Sequence, residues 1–200
     1  MCTGSPASMN DFPNLLRARL AARSPQTQAE WEARPAAVLV PLYLDQGEWH
    51  VLLTQRTDLV EHHKGQVSFP GGRVDDDDAG RVQTALREAE EEIGLKPEHV
   101  TVLGQLDELL TVTQYRITPV VGVIPWPYPF VLSTVELSEV FGVPLRWLAD
   151  PANLETQYRD PIVPGRPVPV YYFYYEGRTI WGATARMLLN LLAVVKPLLE

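Results

Sequence analysis

Two hundred residues, 46% hydrophobic and 21% charged at a mean hydropathy of −0.09, suit one globular domain with enough chain to bury a core and exclude a disordered chain. The formal net charge of −8 argues against nonspecific binding to nucleic acid or an anionic membrane, both of which need a basic field. It leaves room for an anionic substrate, because a divalent cation inverts the local field.

Residues 1–10 are small and polar and predict a frayed end without a signal-peptide core. The single cysteine, Cys2, excludes an internal disulfide framework and a cysteine-based zinc site, and makes a reducing cytoplasm the expected compartment. Asp11 or Asn10 is placed to cap a first helix, with Leu15, Leu16 and Leu20 in its apolar stripe. A short polar helix or coil follows Pro25 and ends at Arg34-Pro35. Residues 1–34 thus form an N-terminal helical extension, and 35–200 a single globular unit.

AAVLVPLYL (36–44) reads as a buried strand, and EWHVLLTQR (48–56) as its hairpin partner across Gly47. A loop through HHKGQ and VSFPGG leads to a helix over 82–94 that Gly94 closes. HVTVLGQLDELLTV (99–112) and RITPVVGVIP (116–125) alternate as strands, and 136–150 reads as a strand running into a helix. Pro161, Pro164, Pro167 and Pro169 predict an extended connection before VPVYYFYYEG, a strand ending in a turn. ATARMLLNLLAVVKPLL is a final amphipathic helix, no run reaches membrane-spanning length, and the C-terminal VVKPLLE carries no organelle address. Strands and helices interleave without a regular βαβ repeat, so the expected class is α/β, a mixed sheet with helices on its faces.

The helix over 82–94 sorts its side chains. At about 100° per residue, Val82, Ala85, Leu86, Ala89 and Ile93 share one arc and form the core face. Glu88, Glu91 and Glu92 share a second arc, Glu90 projects elsewhere, and Arg87 sits on the flank within reach of Glu91. Three like charges within one sector weaken a helix. A solvated charged face is the plain reading. The alternative is a hard divalent cation, Mg²⁺ or Mn²⁺, which takes carboxylate oxygens together with substrate phosphates. The double glycine Gly71-Gly72 just upstream, which allows close backbone approach, favours the second.

Arg87-Glu88-Ala89-Glu90-Glu91-Glu92-Ile93-Gly94-Leu95 resembles the second half of the Nudix box, G-x5-E-x7-R-E-U-x-E-E-x-G-U, with Ala89 small for a U position. The first half departs: Gly72 is followed by five residues and then Asp78, and eight residues rather than seven separate Asp78 from Arg87. The resemblance implies a Nudix-type α/β/α sandwich that hydrolyses a nucleoside diphosphate linked to another group. It also implies metal-binding glutamates, here Glu88, Glu91 and Glu92, with a backbone carbonyl of Gly71 or Gly72 completing the shell. The early carboxylate stays open among Asp75, Asp76, Asp77 and Asp78.

LLTQRTDLVEHHKGQVSFPGG (52–72) resembles the signature of the coenzyme A pyrophosphatase branch, L-L-T-x-R-[SA]-x3-R-x3-G-x3-F-P-G-G. Leu52, Leu53, Thr54, Arg56, Gly65, Phe69, Pro70, Gly71 and Gly72 match, while Thr57 replaces Ser or Ala and Glu61 replaces an arginine. Residues 116–122, 139–153 and 180–188 look like the same branch. That resemblance implies cleavage of coenzyme A to 4′-phosphopantetheine and adenosine 3′,5′-bisphosphate, with Arg56, Lys64, Gly65, Phe69 and Gly71 at the substrate. The general base is a box glutamate or a downstream one, Glu136 or Glu139. Expected partners are the small-molecule substrate and a second copy in a homodimer. Another diphosphate such as ADP-ribose, NADH or a nucleoside triphosphate remains the alternative, as does a noncatalytic nucleotide sensor.

Overall fold

Two adjacent strands set the architecture. β1 (Arg34–Asp45) and β2 (Glu48–Arg56) form a hairpin with Leu42 opposite Val51 and Asp45 opposite Glu48. Gln46 and Gly47 turn it at φ 47° and 83°, the left-handed pair that a two-residue hairpin loop demands. The computed structural model describes residues 11–27, 32–57, 65–160 and 167–199.

β1 is central. β7 (Tyr115–Val123) runs parallel to it from Arg34↔Tyr115 to Leu42↔Val123. On its other side the start of β1 pairs antiparallel with β4 (Gly71–Arg73), and its end pairs with β2. β3 (Val67–Ser68) and β8 (Leu137–Pro144) pair with β2; β5 (Thr101–Gln105) and β6 (Leu109–Leu110) pair with β7. Parallel and antiparallel ladders together make the mixed sheet.

Alternation along β1 divides the core. Val38, Val40 and Leu42 join the cluster under α1 (Phe12–Ala21) and α4 (Gly182–Leu199). Ala37, Leu39 and Tyr43 face Ala85, Ala89 and Ile93 of α2 (Arg81–Ile93) on the opposite face. Side chains that alternate at period two thus bury a helix layer on each face, giving the α/β/α sandwich. After α3 (Leu145–Ala149) comes a second sheet in the order β11-β10-β9, made of β9 (Leu154–Arg159), β10 (Val168–Tyr175) and β11 (Arg178–Trp181). Its inner residues Phe173 and Ile180 are fully buried in the cluster of α4.

Several expectations change. Leu15 lies at the surface, and Phe12 joins Leu16 and Leu20 on the buried stripe of α1. Asp11 takes the N-cap position without a side-chain cap bond. Residues 99–112 are not one strand: a turn of 3₁₀ helix (Pro97–His99) precedes β5, and the ladder shifts register between Val102 and Gly104. β9 and β11 were not expected. Pro169 lies inside β10, whereas Pro161 and Pro164 lie outside the described residues. α4 is, by length and composition, apolar enough to cross a membrane, contrary to the expectation of no such run, yet half of it is buried against the sheets and helices.

Candidate active site

The site lies where β4 passes α2. Gly71 sits against β1 so closely that a Cβ there stands 2.5 Å from the Ala37 carbonyl oxygen and 2.6 Å from Val38 Cα. The segment is tied down on both sides: Leu39 N–H donates to the Pro70 carbonyl (2.9 Å), and Thr54 Oγ1 donates to the Ser68 carbonyl (3.0 Å). This seating aims Gly71 N–H at Glu92 Oε2, 3.1 Å away. A Cβ on Gly72 stands 2.4 Å from Glu88 Oε1. Two glutamates one helical turn apart therefore rest on two successive glycines, and only the absence of side chains lets them do so.

Burial and like charge act together on Glu92. It is 8% exposed, and burial pushes its carboxyl up to about 7; the Gly71 N–H opposes the rise, the carboxylates of Glu88 and Glu136 add to it, and Arg56 opposes it. Glu88 is raised too, by burial first, against the pull of Arg87. Arg56 stands at the end of β2, and its buried Nε has no hydrogen-bond partner among the described residues. A buried donor left unpaired carries a cost of about 1–3 kcal/mol.

Arg87 makes the expected i+4 pair with Glu91, Nη1 standing 3.2 Å from Oε2, and it also reaches into the acidic sector, with Nη1 3.0 Å from Glu88 Oε1. Glu91 consequently turns to the rim, where its side chain is 59% exposed, and among the described residues no three acidic or histidine side chains form a closed cage. The sector that the helical wheel gathers is thus split into a seated pair, Glu88 and Glu92, and an outlying Glu91. Glu90 pairs with Lys96 at the surface, as expected of a solvent-facing position.

The other end of Arg87 is held by Asp78. Asp78 Oδ1 accepts from Arg87 Nε and Oδ2 from Nη2, both at 3.1 Å. Asp78 also accepts from Asp75 N–H (3.0 Å) and Thr84 Oγ1 (2.8 Å), and its side chain is 2% exposed. With its lone pairs so used, Asp78 anchors Arg87 to the loop and does not face the glutamate pair. Asp75 adds a looser contact at 3.4 Å. The Arg87 guanidinium holds the Asp78 carboxyl at about 2, below its ordinary 3.8. A depressed folded-state value stabilises the fold fully above the ordinary value and is lost as pH falls through the depressed one. Wild-type stability is therefore expected to drop by roughly 2 kcal/mol from this pair between about pH 5 and pH 2. Urea unfolding across that range should show the drop in the wild type and a shallower one in Asp78→Asn.

The remaining residues fall into place unequally. Glu139 makes a forked ion pair with Arg178 of β11 (2.8 and 2.9 Å), which lowers its carboxyl, and it lies on β8 opposite Gln55. Glu136 lies nearer the pair: Ser133 N–H bonds the Glu92 carbonyl and Glu136 N–H bonds the Ser133 carbonyl, both at 2.9 Å. Phe69, expected at the substrate, is 2% exposed and packs into the main core instead, because the loop folds its ring inward. Gly65 turns the chain into β3 at φ 64°. Lys64, Glu61, His62 and His63 lie outside the described residues.

The donor set fits a hard divalent cation. Glu88 and Glu92 are hard oxygen donors one helical turn apart, seated on Gly72 and Gly71, and burial together with their mutual repulsion disfavours the charge on Glu92 that a cation would neutralise.

The NUDIX domain model matches residues 33–149. An uncharacterised Nudix hydrolase, NudL of Escherichia coli K12, is 42% identical over 159 residues, 79% of this chain and 81% of that protein, and its Shigella boydii serotype 18 counterpart matches equally. Among solved structures, the Nudix hydrolase RenU of M. smegmatis aligns over 64% of this chain and 83% of its own at a TM-score of 0.50 and 24% identity. A MutT/nudix family protein of Enterococcus faecalis aligns over 98% of this chain and 76% of its own at a TM-score of 0.55 and 14% identity. These two likenesses concern the fold alone.

Proposed function

We propose, because this chain belongs to the Nudix hydrolase family, that the diphosphate it hydrolyses is that of coenzyme A or a coenzyme A derivative. The family makes it a pyrophosphatase of nucleoside diphosphate derivatives that uses divalent metal ions. The substrate reading rests on residues 52–72, whose Leu52, Leu53, Thr54, Arg56, Gly65 and Phe69-Pro70-Gly71-Gly72 keep the spacing of the coenzyme A branch. The observation that carries the site assignment is the seating of Glu88 and Glu92 on Gly72 and Gly71, with Arg56 beside them.

Glu88 and Glu92, with a carbonyl of the glycine turn and Glu91 from the rim, are the residues that hold the cation, Mg²⁺ or Mn²⁺. When bound, it neutralises diphosphate oxygens and lowers the pKa of a water. Arg56 holds a phosphate oxygen through the Nε that lacks a partner, and Arg87 keeps Glu88 from swinging into solvent. Phosphoryl transfer to water asks the protein mainly for position and charge. A carboxylate takes one proton from the attacking water as the new P–O bond forms; the bridging P–O bond breaks, and its electron pair leaves with the departing phosphate.

For that proton we assign Glu136 over Glu139, since Glu136 lies within electrostatic reach of Glu92 while both oxygens of Glu139 are held by Arg178. Glu136→Gln is expected to lower kcat about 10²-fold or more, in the usual range of a lost general base. Glu139→Gln should stay within about threefold and cost at most about 1 kcal/mol of stability, as for a half-exposed ion pair. The substrate test is a panel of coenzyme A, ADP-ribose, NADH and nucleoside triphosphates with Mg²⁺ or Mn²⁺, read by product mass. The expected result is 4′-phosphopantetheine and adenosine 3′,5′-bisphosphate at the highest kcat/KM. A higher value for ADP-ribose or NADH would reassign the substrate and leave the site standing.

A further inference from the structure

The second sheet ends in an edge strand of unusual openness. Among the described residues β9, LETQYR, pairs with β10 on one side only, and Glu155 through Arg159 are all exposed. Edge strands are ordinarily blunted by proline, charged side chains or a bulge. β9 has no proline, its two charges are of opposite sign, and its register with β10 runs unbroken from Leu154↔Phe173 to Arg159↔Val168.

Pro169 tells which backbone groups of β9 are free. It stands opposite Tyr158 and has no N–H, so this pair belongs to the non-hydrogen-bonded kind, with backbone groups turned away from one another. β11 ends at Trp181, opposite Tyr172, and so leaves the far side of Pro169 open, where a missing donor is harmless. By alternation, Glu155, Gln157 and Arg159 bond to β10, while Leu154, Thr156 and Tyr158 direct their N–H and C=O outward.

We propose that β9 is the interface of a homodimer, pairing antiparallel with β9 of a second copy about a two-fold axis at Gln157. Charge selects both the occupant and the register. With Gln157 on the axis, Thr156 faces the partner's Tyr158, Glu155 faces the partner's Arg159, and Arg159 faces the partner's Glu155. Shifting by one residue pair in either direction sets Glu155 against the partner's Gln157 or beyond the partner's strand, and both ion pairs are lost. The central register also places Thr156 and Tyr158, whose backbone groups point outward, in the hydrogen-bonded positions. Glu155 and Arg159 then occupy the non-hydrogen-bonded positions, where side chains approach most closely. In the single chain both charges lie against their own sheet: Gln157 Nε2 donates to Glu155 Oε1 (2.7 Å), and Arg159 donates to the Tyr172 hydroxyl (2.8 Å) and lies over the Trp181 ring, so each turns to the free edge as the second copy docks. The dimer is isologous and closed, and its two sheets join into one of six strands.

Sedimentation equilibrium of the full chain at about 1–100 µM tests this, a range that spans ordinary homodimer affinities. The wild type is expected to dimerise. Glu155→Arg and Arg159→Glu should each weaken the dimer about tenfold or more, since each turns two attractions into two repulsions, and the double exchange should restore affinity to within about threefold. Thr156→Pro removes only an outward N–H and should give a folded monomer by circular dichroism. A monomeric wild type overturns the proposal. So does a dimer indifferent to the single reversals and to Thr156→Pro, or a folded double exchange that stays weak.

Discussion

Glu92→Gln is expected to lose metal-dependent turnover by about 10²-fold or more in kcat/KM, the scale of a lost metal ligand, while the fold survives. Gln keeps the carbonyl oxygen that accepts from Gly71 N–H, so the loop remains seated. It lacks the charge, and that charge is what burial makes costly. The Glu92 carboxyl is pushed up to about 7 from an ordinary 4.5. A raised carboxyl contributes stability fully below its unfolded value, and that contribution is lost as pH rises through the folded one. In the metal-free protein at pH 8 the variant should therefore exceed the wild type in stability by on the order of 1–3 kcal/mol, and at pH 4 the difference should vanish. Urea midpoints in chelator at the two pH values check this. A variant that is both inactive and less stable at pH 8 would mean that Glu92 supports the fold and not the chemistry.

Gly71→Ala and Gly72→Ala should fail in opposite ways. At Gly71 the new methyl meets backbone, the Ala37 carbonyl oxygen at 2.5 Å and Val38 Cα at 2.6 Å, and neither yields without breaking the β1–β4 ladder. The expected cost is about 3 kcal/mol or more, in the range of severe overpacking. At Gly72 the atoms nearest the new methyl are those of the Glu88 carboxylate, the far end of a flexible side chain. Glu88 swings aside at little cost to the fold, within about 1 kcal/mol, but kcat/KM falls about 10- to 100-fold because a group an ångström out of place no longer serves. Thermal unfolding and initial rates measured on both variants separate the two outcomes.

The parts of this fold that repeat at 3.6 or 2.0 residues were legible from the chain. The hairpin of β1 and β2, the core face Ala85, Ala89 and Ile93, and the αL stop at Gly94 (φ 67°) all follow from local pattern. β9 and β11 were not legible, because LETQYR and RTIW are short and largely polar, and half-exposed strands carry little periodic signal. The site divides the same way. Spacing brings Glu88, Glu91 and Glu92 to one sector and sets Arg87 within reach of Glu91, but it cannot say where the rest of that guanidinium goes. Arg87 finds Asp78 across a loop nine residues upstream and then bridges Glu88 and Glu91. Glu139 is taken by Arg178, 39 residues downstream, a pairing set by how β8 and β11 meet. Burial of Glu92 likewise comes from the packing of β4 on β1 and is invisible in the helix alone.

The most direct measurement is anomalous scattering from Mn²⁺ in crystals grown with a non-hydrolysable diphosphate analogue. The expected map places Mn²⁺ within about 2.0–2.4 Å of carboxylate oxygens of both Glu88 and Glu92, with an analogue phosphate oxygen completing the shell. Mn²⁺ bound instead among Asp75, Asp76 and Asp77, with Glu88 and Glu92 left dry and remote from the analogue, would contradict the account.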